Sequence, residues 1–179
     1  MKLNAKELRD VKEEDIIDKL KTIKRRPMYF ILENIYDTYN IGGLFRLADA
    51  LSIEKIYICG ESEIPPNSKI KKASVGTYKV VPWEYCKSAS EAIADLRSKI
   101  KNKKSKIKII AVEQVKHSIP YTKADYSTPI ALILGNETSG ITEETLKLAD
   151  QVVEIPMWGI NKSLNVIVSA AIVSYWALK

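Results

Sequence analysis

The stretch Pro129-Ile-Ala-Leu-Ile-Leu134, continued by Gly135-Asn-Glu-Thr-Ser-Gly140, decides how this chain folds. An unbroken apolar run of this length, closed by a glycine-rich polar turn, reads as a strand buried on both faces, the kind found in parallel sheets. A second short apolar run, Val152 to Met157, ends in the loop Trp158-Gly-Ile-Asn-Lys-Ser-Leu-Asn165, which opens a long apolar helix. Two buried strands therefore each end in a polar loop rich in main-chain groups. Loops outside the carboxyl ends of parallel strands are where α/β proteins place ligands. The ligand site is expected there.

Upstream, apolar runs alternate with helical patterns. Met28–Leu32, Lys55–Cys59, Tyr78–Val81 and Ile107–Val112 read as strands, and Ser88–Ile100 as a helix with Ala89, Ala92, Ile93 and Leu96 inward. Alternation of this kind implies βα units and a mostly parallel sheet flanked by helices. Residues 4–24 read as one amphipathic surface helix, with Asn4 as N-cap and Pro27 as its stop. Lys19, Lys21, Lys24, Arg25 and Arg26 at its end suit either phosphates or a solvated face. Asn40 stands where an N-cap belongs, ahead of Ile41-Gly-Gly-Leu-Phe-Arg46. Gly42 and Gly43 cost helix propensity, which close approach of a backbone or ligand would compensate. Arg46 lies off the Leu44, Leu47, Leu51 stripe and suits a phosphate as well as a pairing with Asp49 or Glu33. Lys69, Lys71 and Lys72 form either a basic rim or an ordinary turn, and Lys99–Lys108 holds a further lysine cluster.

With 179 residues the chain fits one sizeable core, and no stretch has the roughly 18 consecutive apolar residues of a membrane span. The N-terminus has no apolar signal core, and Cys59 and Cys86 show neither a disulfide framework nor metal-ligand spacing, so a cytoplasmic protein with reduced thiols is expected. Its 28 Lys and Arg against 22 Asp and Glu give +6, a charge that permits a nucleic-acid partner without requiring one. His117 is the only histidine and sits isolated in a polar loop. No metal cluster and no Ser/His/Asp arrangement is in evidence. There is no G-x-G-x-x-G after the first strand and no G-x-x-x-x-G-K-[ST], which argues against a Rossmann dehydrogenase, a P-loop enzyme and a doubly wound methyltransferase.

Three segments in order, Asn40-Ile-Gly-Gly-Leu-Phe-Arg46, Leu134-Gly-Asn-Glu-Thr-Ser-Gly-Ile141 and Ile155-Pro-Met-Trp-Gly-Ile-Asn-Lys-Ser-Leu-Asn-Val166, resemble the three signature motifs of SpoU/TrmH-type ribose 2′-O-methyltransferases. The resemblance makes residues 27–179 a SPOUT-type catalytic domain and leaves 1–26 as an N-terminal extension, with nothing like the small substrate domain some relatives add in front. It implies an α/β fold whose C-terminal segment threads a loop into a deep trefoil knot. It implies S-adenosylmethionine as methyl donor, held mostly by main-chain groups. By position the binding residues are Gly135, Ile155 and Leu164, with Val112 and Met157 as neighbours; for Ile155 and Leu164 core packing is compatible with this role.

The resemblance also implies a homodimer built on the last helix and the helix of the first motif, each site completed by a partner residue such as Arg46. The apolar residues of the last helix spread around most of it, which agrees. Catalysis falls to Asn40, Arg46, Glu137, Ser163 and Asn165, with no metal. A free guanidinium resists losing a proton, so Arg46 is expected to clamp a phosphate while the 2′-hydroxyl proton passes to phosphate, water or Glu137. Asn40 would cap its helix and set the loop beside Arg46, and Glu137 would act in proton transfer or, from its turn, accept main-chain N–H bonds from the knot. Many relatives have serine where Ile167 stands, a departure that concerns helix packing or the dimer. The expected substrate is RNA, tRNA before rRNA. The competing readings are a non-catalytic RNA-binding protein and a small-molecule α/β enzyme.

Overall fold

A computed structural model describes residues 2–100, 106–127 and 129–179. Seven strands run parallel: β1 (Arg26–Glu33), β2 (Ile53–Cys59), β3 (Trp83–Cys86), β4 (Lys108–Val112), β5 (Ile119–Pro120), β6 (Ile130–Leu134) and β7 (Gln151–Glu154). Their spatial order is β3-β2-β1-β6-β4-β7-β5. The decisive stretch is thus the central strand, paired with β1 on one side and β4 on the other. All five of its residues are buried, which is why its sequence shows no alternation.

The sheet separates two apolar layers, and strand pleating assigns side chains to them. From β1, Phe30 and Leu32 enter one layer, whereas Ile31 enters the other. The first layer packs helix α3 (Thr38–Leu51) and the last helix, α7 (Val166–Ala177). The second packs α5 (Ala89–Ile100) through Ala89, Ala92, Ile93 and Leu96, as their spacing implies. Between β2 and β3 lies α4 (Ser68–Ser74), and α6 (Glu143–Leu146) follows β6.

Three elements depart from the sequence reading. Residues 4–24 form two helices, α1 (Ala5–Asp10) and α2 (Glu13–Lys21). Asn4 does cap the first, with Glu7 reciprocating. Val11 is extended at φ −64° and ψ 136°, and the Lys79 ammonium donates to the carbonyls of Arg9 and Val11. A distant lysine thus satisfies carbonyls that a continuous helix would have bonded internally. Tyr78–Val81 is not a strand. Val75 and Gly76 both take positive φ, and Thr77–Lys79 forms a 3-10 turn, so the strand begins only at Trp83. Third, α3 begins three residues earlier than expected. Asp37 is its N-cap and accepts from the Tyr39 amide at 2.8 Å, whereas Asn40 lies inside the first turn. The apolar period starts only at Ile41, which hid the preceding turn. Of the lysine cluster Lys99–Lys108, residues 101–105 lie outside the described residues.

Gly42 and Gly43 do mark close approach, to helices on either side. A Cβ on Gly42 would lie 2.5 Å from the Ala73 Cβ and 2.8 Å from the Ser74 amide nitrogen, on α4. One on Gly43 would overlap the Ile167 Cδ1 of α7, so Ile167 fills the notch that glycine leaves. No helix among the described residues is long and apolar enough to cross a membrane.

Candidate active site

The loop after β6 is held from both neighbouring strands. Glu33 ends β1, and its buried carboxylate accepts from the Thr142 amide at 2.9 Å, the Thr142 hydroxyl at 3.0 Å and the Thr145 hydroxyl at 2.5 Å. Glu113 follows β4 and accepts from the Ile141 amide at 2.9 Å. Inside the loop, the Asn136 amide donates to the Asn34 carbonyl at 2.8 Å, and its oxygen accepts from the amides of Thr138 and Ser139. Gly140 takes φ +68° against the Glu113 carboxylate, where a side chain would collide. The turn Gly135–Gly140 is therefore a fixed main-chain surface.

That surface forms one wall of a cavity of about 300 Å³ at the carboxyl ends of β4, β6 and β7. All five residues expected to hold a cofactor, Val112, Gly135, Ile155, Met157 and Leu164, line it, as do Glu137 and Ser163. Ile155 also packs on the core, so both readings of it hold. The charged groups lining the cavity are Glu113, Glu137, Glu154 and Lys162, an excess of negative charge suited to a cationic ligand. Glu113 was not singled out from the sequence. Its position one residue beyond a parallel strand is the signal that points to it.

Beside the cavity a side-chain relay joins the three motif segments. The Asn40 amide donates to the Glu137 carboxylate, and the Asn165 amide donates to the Asn40 oxygen at 3.0 Å. Asn165 is also the N-cap of α7, accepting from the Ile167 amide at 2.8 Å. Two expectations change here: Asn40 bridges segments instead of capping α3, and Glu137 takes a side-chain amide instead of main-chain N–H groups. Both changes follow from burial of Asn40, whose amide needs partners that only the later segments supply.

Arg46 stands apart. It is exposed on α3, does not line the cavity, and makes no hydrogen bond or ion pair with a described residue, Asp49 and Glu33 included. His117 is exposed and outside the cavity. Cys59 and Cys86 are free thiols, buried opposite each other on β2 and β3. Burial foremost pushes the Cys86 thiol up to about 11 and the Cys59 thiol higher still, which suits neither to nucleophilic attack. No group of His, Cys, Asp and Glu among the described residues is placed to hold a metal ion.

The chain is similar to the tRNA (guanosine(18)-2′-O)-methyltransferase of Escherichia coli K12, 28% identical over 158 residues that cover 86% of this chain and 64% of that protein. It is similar to the 23S rRNA (guanosine-2′-O-)-methyltransferase RlmB of Ralstonia nicotianae, 26% identical over 157 residues covering 88% of this chain and 60% of the relative. The chain thus spans less than two thirds of the length of either curated relative. Among solved structures, the TrmH/SpoU tRNA modifying enzyme of A. aeolicus superposes with a TM-score of 0.74 at 26% identity, over 92% of this chain and 82% of that one. Residues 27–175 match the SpoU rRNA Methylase family, and the chain belongs to that family.

Proposed function

We propose that this protein transfers a methyl group from S-adenosylmethionine to a ribose 2′-hydroxyl of RNA, tRNA before rRNA, in the cytoplasm. One observation carries the reading: the Asn40–Glu137 and Asn165–Asn40 hydrogen bonds gather all three motif segments at the rim of a single cavity. The relatives named above supply the reaction class.

The cavity suits the cofactor. S-adenosylmethionine is net cationic at neutral pH, and three carboxylates face one lysine here. An adenosine needs an apolar slot with main-chain donors and acceptors, which Val112, Ile155, Met157 and Leu164 and the fixed turn at Gly135 provide. When bound, the cofactor supplies an already activated methyl group. The protein's part is alignment of the hydroxyl and removal of its proton.

Arg46 grips the RNA phosphate next to the target ribose, a role for which a guanidinium fork is suited. It comes from a second copy of the chain, since it does not line its own chain's cavity. The homodimer is supported by apolar surface: Trp158 is 91% exposed on the third-motif loop, and Val168 and Tyr175 project from α7 opposite the buried Val166, Ala170 and Val173. Asn40 and Asn165 fix Glu137, and Ser163 contacts the RNA at the cavity mouth. The hydroxyl proton has three available acceptors: the adjacent phosphate, water, and Glu137. We place the catalytic domain at residues 27–179, with the segment after β7 threaded as a deep trefoil knot, and assign 1–26 as an extension packed on it.

The test is calorimetric titration with S-adenosylmethionine alongside transfer of labelled methyl to bulk tRNA and rRNA. The native chain is expected to bind and transfer. Arg46→Ala is expected to bind and not transfer. A native chain that binds RNA but no S-adenosylmethionine favours a non-catalytic RNA-binding protein.

A further inference from the structure

The helix α4 has the sequence Ser-Lys-Ile-Lys-Lys-Ala-Ser, with three lysines and no acidic residue. Ile70 and Ser74 are buried, while Lys69, Lys71 and Lys72 are all exposed. None of the three ammonium groups makes a hydrogen bond or ion pair with a described residue. Some surface lysines do pair, Lys55 with Glu84, Lys99 with Asp95 and Lys21 with Asp18. Three like charges without a direct partner on a helix this short repel one another.

Their position is fixed relative to the candidate active site. The close approach of Gly42 to Ala73 clamps α4 along α3, the helix that carries Asn40 and Arg46. At the ends of these helices nearer the site, a shallow cavity of about 450 Å³ is lined by Tyr36, Tyr39, Asn67 and Lys69, with Asp37 and Glu63 as its carboxylates. Asp37 is occupied in capping α3. Tyr39 is 52% exposed, one residue before the buried Asn40, with its ring facing no described aromatic partner. An exposed ring beside the Lys69 ammonium, with Lys71 and Lys72 exposed further along the same helix, fits a chain of phosphates bearing stackable bases.

We infer that the α3–α4 surface, formed by Tyr39, Lys69, Lys71 and Lys72, is a docking track for the RNA strand flanking the target nucleotide. This rests on the RNA substrate proposed above. The lysines contact phosphates, and Tyr39 stacks on an unpaired base. None of these four residues lines the cofactor cavity, so the track acts on RNA affinity and leaves the chemistry alone.

The test compares the native chain with Lys69→Gln/Lys71→Gln/Lys72→Gln and with Tyr39→Ala and Tyr39→Phe. The inward residues of α4 are untouched, and circular dichroism checks the fold. Binding of bulk tRNA is measured over a range of salt concentrations, with S-adenosylmethionine affinity and kcat at saturating RNA as controls. Loss of three phosphate contacts lowers the slope of log affinity against log salt by roughly 2 to 3 and weakens binding at least about tenfold at low salt. Tyr39→Ala weakens binding about five- to tenfold, and Tyr39→Phe retains it. In each case kcat and cofactor affinity stay at the native level. An unchanged slope and affinity in the triple variant overturns the docking track and leaves the enzymatic reading standing. A native chain that binds no RNA overturns both.

Discussion

The Asn165 amide donates to the Asn40 oxygen across 3.0 Å, so two residues 125 positions apart in sequence share one hydrogen bond. Asn40 passes the connection to Glu137, and the same Asn165 caps α7 through its oxygen. Each asparagine uses its amide donor and its carbonyl acceptor at once, a task that an ionised aspartate, which only accepts, cannot perform. This relay separates positioning from helix stability, and the two can be measured apart.

Asn165→Asp retains an acceptor for the Ile167 amide but loses the donor to Asn40. Stability in urea is expected to fall by about 1–3 kcal/mol: aspartate caps helices as well as asparagine, but the buried Asn40 oxygen loses its donor. Methyl transfer is expected to fall about a hundredfold through misplacement of Glu137. Asn165→Ala is expected to lose both, with a stability cost about 1 kcal/mol larger than that of Asn165→Asp. Equal activity in Asn165→Asp and the native chain would remove the relay from the mechanism.

Glu33 is a buried carboxylate whose partners are the amide and hydroxyl of Thr142 and the hydroxyl of Thr145. Glu33→Gln turns an acceptor toward donors as an amide group, leaving a buried mismatch. Destabilisation of about 1–3 kcal/mol is expected in urea unfolding. Because the carboxylate anchors the chain just after Gly140, cofactor affinity should fall with it. A variant as stable as the native chain would show that Thr142 and Thr145 find other partners.

The two glycines of the first motif predict different costs. At Gly42 a methyl group meets Ala73 and the Ser74 backbone, which cannot yield locally, so Gly42→Ala is expected to destabilise by about 1–3 kcal/mol. At Gly43 the obstacle is the Cδ1 methyl at the end of the Ile167 side chain. Gly43→Ala should cost less, and Ile167→Val, which deletes that methyl, should restore the loss. Thermal unfolding of the single and double variants checks the coupling.

Asp95 lies between Tyr57, whose hydroxyl donates at 2.9 Å, and Lys99, whose ammonium donates at 2.6 Å. Burial acts to raise its pKa, but the bonds from Lys99 and Tyr57 outweigh burial and hold the carboxyl below its ordinary value. A carboxylate depressed on folding stabilises the protein above its unfolded pKa, and the contribution is lost as pH falls through the folded value. Asp95→Asn is therefore expected to be less stable at pH 7, by about 0.5–1 kcal/mol after allowance for solvent screening. Its difference from the native chain should shrink below about pH 4. Urea midpoints measured from pH 7 downward check this, and a constant difference would refute it.

The sequence by itself determined the strands that lie deepest and the loops that follow them. Ile130–Leu134 is buried on both faces, and that burial is written as uninterrupted apolar residues. The cavity-lining positions Gly135, Ile155 and Leu164 were legible for a related reason: a motif preserves local main-chain shape, and that shape is what lines the cavity. What depends on residues far apart in the chain was not legible. Asp37 and Asn40 are equally good caps by type, and only the carboxylate of Glu137 and the amide of Asn165, brought close by folding, decided that Asn40 would bridge instead. The break between α1 and α2 was likewise set by Lys79 reaching two carbonyls from across the fold. Local propensities differ by tenths of a kcal/mol between such alternatives, whereas an unpaired buried polar group costs about 1–3 kcal/mol, so tertiary contacts made the choice.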